Sequence, residues 1–108
     1  MRRLLGSMAV CLPMLTLAAG AVELGNKERG HEYAQKHCSD CHAIDKDDQL
    51  LLGDVPTFQE VADSQGMSPR ALAVWLQTSH PNMPDFIIPP DDMDNVIAYI
   101  MSLRTPKQ

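Results

Sequence analysis

The chain reads as an all-α domain on three observations. Apolar residues recur at helical spacing in the C-terminal half. No stretch alternates in the manner of a strand, and proline-rich segments separate the helical stretches. With 108 residues there is room for one small domain.

Residues 1–21 read as an address and not as part of the fold. Arg2 and Arg3 form a short basic start, residues 4–17 are mostly apolar, and Ala19, Gly20 and Ala21 supply the small residues of a cleavage site. That is the three-part pattern of a secretory signal peptide. It leaves residues 22–108 as the mature domain and removes Cys11. Losing Arg2 and Arg3 leaves seven basic residues against fourteen acidic ones, so the formal charge moves from −5 to −7. This balance excludes a general nucleic-acid binder, which needs a basic face for phosphates. No apolar run reaches the roughly 18 residues that span a bilayer, so stable membrane insertion is not expected.

The first helix is expected over Lys27–His37, a stretch without proline. Its apolar content is thin, with Tyr33 and Ala34 the candidates for an inner face. Gly30 costs about 1 kcal/mol against Ala in a helix interior. It reads either as a place where another backbone passes close by or as a flexible helix start. Residues 45–48 are charged and turn-like, 50–53 are a brief apolar run ended by Gly, and 53–58 are irregular. Residues 57–62 add a short helix. The next helix is clearer: Ser68 is a good N-cap, Pro69 suits the first helical position, and Leu72, Trp75 and Leu76 form an apolar stripe. Pro81 must end it. The last helix starts at Pro90, with Asp91, Asp92 and Asp94 in its first turn, where carboxylates suit the positive end of the macrodipole. Met93, Val96, Ile97, Ile100 and Met101 mark one face, with Tyr99 beside it. Arg104 closes the other end with the favourable sign. Long loops in so small a domain need something to pack against, and only 5% of the residues are aromatic.

Residues 38–42 read Cys38-Ser39-Asp40-Cys41-His42. C-x-x-C-H is the attachment signature of a c-type haem. Two thiols at this spacing each add to one vinyl group of a single porphyrin, and the next residue places an imidazole over the iron. Three other readings compete: a Cys38–Cys41 disulfide, a thioredoxin-type redox pair, and a zinc site built from the two cysteines and two of His31, His37, His42 and His80. The redox pair needs a βαβ context that is missing, and zinc has no second cysteine pair. Haem is the preferred reading. Opposite His42, the candidate sixth ligands are Met67, His80, Met83, Met93 and Met101. Met83 is preferred because Pro81-Asn82-Met83-Pro84 stiffens a loop after a helix, whereas Met93 and Met101 lie on an apolar helical stripe. A His/Met pair leaves no vacant coordination site and raises the reduction potential, which suits an electron carrier. His31 and His37 read as solvated positions.

Residues 28–104 resemble a bacterial class I cytochrome c. The resemblance rests on residues 30–42, on Asn82-Met83-Pro84 and on residues 96–103, in the family's order of helix, C-x-x-C-H, Met-Pro loop and closing helix. It implies three to five helices with long loops around one covalently bound haem, linked through Cys38 and Cys41. It implies crossed terminal helices with Gly30 close to Tyr99, and Met83 in the sixth-ligand position. It also implies that Pro56 is the proline whose carbonyl accepts a hydrogen bond from the axial histidine. The chain departs from the family at Asp54-Val55-Pro56, where Gly-Pro is usual, at Ala34, where an aromatic is frequent, and at Pro89-Pro90, where Ser or Thr usually caps. Trp75 reads equally as haem-pocket lining and as core.

The expected function is a soluble periplasmic one-electron carrier, a monomer and not an enzyme. It would take electrons from a membrane respiratory complex or a periplasmic dehydrogenase and pass them to an oxidase or reductase. The alternative is a haem sensor, or a small electron-transfer subunit of a periplasmic dehydrogenase, with a displaceable sixth ligand. Asp40, Asp45, Asp47 and Asp48 read either as a flank of the exposed haem edge or as a solvated acidic loop. The missing aromatic mass would come from the haem, so the apo chain is expected to be largely unfolded.

Overall fold

The first described helix is capped by a side chain. Asn26 accepts a hydrogen bond from the Arg29 amide at 2.9 Å and starts α1, Lys27–His37. The computed structural model describes residues 25–78, Met83 and residues 87–108. The expected signal peptide with Cys11, and likewise His80, Pro81, Asn82 and Pro84, lie outside the described residues. Three further helices follow: α2, Phe58–Asp63; α3, Pro69–Gln77; and α4, Pro90–Ser102. No strand occurs among the described residues.

The local chemistry of each helix follows from its ends. Thr57 and Glu60 form a reciprocal capping box at α2, satisfying two amides that a bare helix start leaves orphaned. Ser68 accepts from the Ala71 amide at 3.1 Å, and Pro69 opens α3. At α4 no side chain caps the start, and Pro90 fills a first-turn position whose missing N–H costs nothing there.

α4 is the hub, packed against each of the other three helices and most extensively against α1. The α1–α4 crossing is set by two glycines. A side chain at Gly30 would overlap the Asn95 carbonyl and come within 2.8 Å of the Tyr99 Cβ, and one at Gly25 would overlap the Asp94 carbonyl. Gly25 also has φ +98°, a conformation that disfavours any side chain. The close-approach reading of Gly30 therefore holds. Asn95 completes the joint by accepting from the Asn26 amide at 2.8 Å.

The core runs through Ala34, Leu72, Val96, Ile97, Ile100 and Leu103, and it takes in Met93. On the inner face of α1 the buried residues are Gly30 and Ala34, with Tyr33 only half-buried. Tyr99 is buried with the α4 face and not merely beside it. Its ring closes on His31 of α1 at 4.9 Å. Trp75 is 55% exposed, so it is not a core tryptophan.

Arg104 corrects the expectation of a simple dipole partner for α4. It turns away and donates to the carbonyl of Ala62 at 3.0 Å and to that of Met67. Ala62 lies in the last turn of α2, where carbonyls lack helical partners, so Arg104 caps a neighbouring helix. Next to it, Thr105 donates through its amide and its hydroxyl to the two carboxylate oxygens of Asp63, each at 2.7 Å. These two donors hold the Asp63 carboxyl below its ordinary range.

Candidate functional site

α1 ends in a tight turn that gathers three chemically distinctive side chains. The Cys38 amide donates to the Ala34 carbonyl at 2.8 Å, finishing the helix. The Cys38 carbonyl then accepts from the amides of Cys41 at 3.2 Å and His42 at 2.9 Å. Residues three and four apart in such a turn share a face, so Cys38, Cys41 and His42 are brought together. Met83, half-buried, comes from the separate connection between α3 and α4.

Cys38 and Cys41 are not joined in a disulfide. Cys38 is half-buried, and burial pushes its thiol up to about 11. Redox-active cysteines need a depressed value that favours the thiolate, so this environment speaks against a thioredoxin-type pair. Among the described residues, no group of three or more His, Cys, Asp or Glu converges as a metal site.

His42 is held from two directions. Its Nδ1–H donates to the Pro56 carbonyl at 2.7 Å, and its ring lies 5.3 Å from that of Phe58. A carbonyl can only accept, so this bond fixes the proton on Nδ1 and leaves the Nε2 lone pair for a ligand. Pro56 thus occupies the place expected of it despite the Asp54-Val55 departure. The same loop is tied back a second time, since the Phe58 amide donates to the Ala43 carbonyl at 2.9 Å.

Of the two histidines of α1 expected to be solvated, His31 is instead partnered. His31 Nε2 lies 2.8 Å from Asp45 Oδ1. Asp45 also lies 3.2 Å from the Tyr99 hydroxyl, and its amide donates to Asp48 Oδ2 at 3.1 Å. The Asp47 amide, at φ +61°, donates to Gln59 at 2.7 Å. Much of the acidic run after the motif is therefore loop architecture. His37 is exposed, with its ring against Tyr33 at 4.3 Å. The Thr57-x-x-Glu60 capping signature was present in the sequence as a signal for this end of the site. Asn95 had no such signal, because its partner is 69 residues away.

A helical fold joined by long loops, carrying a C-x-x-C-H turn whose imidazole is held through Nδ1, defines a c-type haem protein. The cytochrome c family model matches residues 27–104, and the chain belongs to that family. It is also similar to cytochrome c-552 of Bradyrhizobium diazoefficiens. The two are 32% identical over 97 residues, covering 88% of this chain and 92% of the relative. No solved structure gives a significant match. The protein is accordingly an electron-transfer protein and not an enzyme, with haem c covalently attached through Cys38 and Cys41.

The residues present fit that group. Two thiols and one oriented imidazole form the required donor set. Leu50, Leu51, Leu52, Val74 and Trp75 are about half exposed, and Ile87 is 95% exposed. So much large apolar side chain without protein cover suits a chain that packs on a broad apolar ring. Two surface grooves, one lined by Glu60 and Asp63 and the other by His31 and Tyr99, do not include the motif residues. No helix among the described residues is long and apolar enough to cross a membrane.

Proposed function

We propose that the protein is a soluble periplasmic carrier of single electrons, with His42 and Met83 as the two axial ligands. The observation that carries this reading is the His42 Nδ1 to Pro56 hydrogen bond of 2.7 Å, which presents Nε2 for coordination. Haem c supplies an iron that takes up and returns one electron. The chain's own residues do the rest. Cys38 and Cys41 would prevent loss of the group, Pro56 and Phe58 hold the imidazole that would ligate it, and Met83 would supply a soft thioether as the second ligand. Such a filled site changes little on electron transfer and favours the reduced state.

Export fits the basic start and apolar stretch of residues 1–21, and a mature formal charge of −7 suits a partner with a basic face. The partners are redox proteins. A membrane respiratory complex or a periplasmic dehydrogenase is the donor class, and an oxidase or reductase the acceptor class.

Optical spectra of the holoprotein test the ligand pair. A Met–iron charge-transfer band is expected in the oxidised form and is lost in Met83→Ala. The reduced protein is expected to bind carbon monoxide slowly or not at all. Rapid binding by the unmodified protein would overturn the carrier reading in favour of a sensor or a subunit with a displaceable ligand.

A further inference from the structure

The carbonyl that receives His42 belongs to the amide joining Pro56 to Thr57. The N–H of that same amide donates to Glu60 Oε2 at 2.8 Å. The described chain contains no cis peptide, so the two groups point in opposite directions from one planar unit. A carboxylate therefore sits at one end of an amide and an imidazole N–H at the other. Hydrogen bonds in such a chain polarise one another, by roughly 10–30% per bond.

We propose that Glu60 is a positioning residue that tunes His42: through the Pro56–Thr57 amide, its carboxylate strengthens the hydrogen bond that orients and enriches the imidazole. The proposal rests on His42 being an axial ligand. An acceptor partner on the distal nitrogen raises the basicity of a ligating histidine. A more basic imidazole favours the oxidised iron, so Glu60 holds the reduction potential below the value that the ligand pair alone would set. The capping box thereby has two separable halves. The Thr57 hydroxyl accepts from the Glu60 amide at 3.1 Å and serves the helix. The Glu60 carboxylate serves the amide that faces the site.

Glu60→Gln keeps an acceptor of nearly the same shape but removes the charge. In the holoprotein it is expected to shift the oxidised/reduced equilibrium at least threefold toward the reduced form. That is about 28 mV upward, a tenfold shift being about 59 mV for one electron. The shift should persist at high ionic strength, where the through-space effect of one exposed charge is screened. The His42 Nδ1–H proton resonance of the reduced protein should move upfield. Thr57→Val, which removes only the helix-serving half, is expected to lower the unfolding temperature and leave the potential in place. An unchanged potential in Glu60→Gln, a shift that vanishes with salt, or an equal shift in Thr57→Val overturns the proposal. His42→Ala separates the two levels. Loss of the six-coordinate spectrum upholds the ligand and leaves the Glu60 result to be judged alone, whereas an unaltered spectrum overturns both.

Discussion

Tyr99 of α4 donates its hydroxyl to the carbonyl of Ile44, 2.7 Å away and 55 residues earlier in the chain. Ile44 lies two residues past the attachment motif, and both residues are buried. The bond therefore fastens the closing helix to the segment that leaves the site, in a place where water cannot replace a lost partner. Tyr99→Phe leaves the carbonyl unsatisfied and should cost about 1–3 kcal/mol. Denaturant unfolding with an unchanged m-value would register it, and a midpoint equal to that of the parent protein would count against it.

The same hydroxyl makes stability sensitive to alkali. Burial, with the charges of Asp45 and Asp48, raises the Tyr99 pKa above its ordinary value of 10.0. The folded state thus keeps a proton that the unfolded chain gives up. This contribution is fully present below about pH 10 and is lost as pH rises beyond it. Tyr33 is also raised, by burial and then by Asp92, and adds to the same trend. Tyr99→Phe should flatten the alkaline decline measured by unfolding across pH 9–12.

Gly30→Ala offers a test in which two effects oppose. Helix propensity favours Ala by about 1 kcal/mol. Overlap with the Asn95 carbonyl, which is backbone and cannot swing aside, works against it. Overpacking of this kind typically costs about 1–3 kcal/mol and occasionally more. A net loss of stability is expected, and a gain would mean that the helices do not cross as described.

Much of this is legible in the sequence alone. The starts of α3 and α4 followed from Ser68, Pro69 and Pro90, because caps and prolines act locally. Cys38, Cys41 and His42 were legible because covalent attachment fixes their spacing. The partners of His31, Arg104 and Asn95 were not legible. Each is set by which helix faces which after packing, and nothing within a few residues of each position records that. Trp75 was ambiguous for a related reason: an apolar stripe at helical spacing does not say whether protein or a bound group covers it.

Arg104→Ala removes the donors to the Ala62 and Met67 carbonyls. Hydrogen bonds from a charged donor are worth about 1.5–3 kcal/mol. The variant should lose stability on that scale, and amide exchange should quicken first in α2. Arg104→Lys should restore less than half, because an ammonium lacks the planar fork that reaches two carbonyls. Full rescue by Lys would show that charge alone matters.

Replacing both Cys38 and Cys41 with Ala removes the anchor for the haem. The exposed side chains from Leu50 to Leu52, with Trp75 and Ile87, then have no apolar surface to settle on. Loss of cooperative thermal unfolding and of near-ultraviolet ellipticity is the expected result. A sharp, native-like transition would show that the polypeptide builds its core unaided.

The half-buried state of Cys38 also dictates a schedule. With its thiol pushed up to about 11 and the turn closed around it, the finished fold offers a poor nucleophile. Cys41, by contrast, stays exposed. Attachment at Cys38 is therefore expected to be easier on an open chain, before the end of α1 closes over the thiol, than on the folded one.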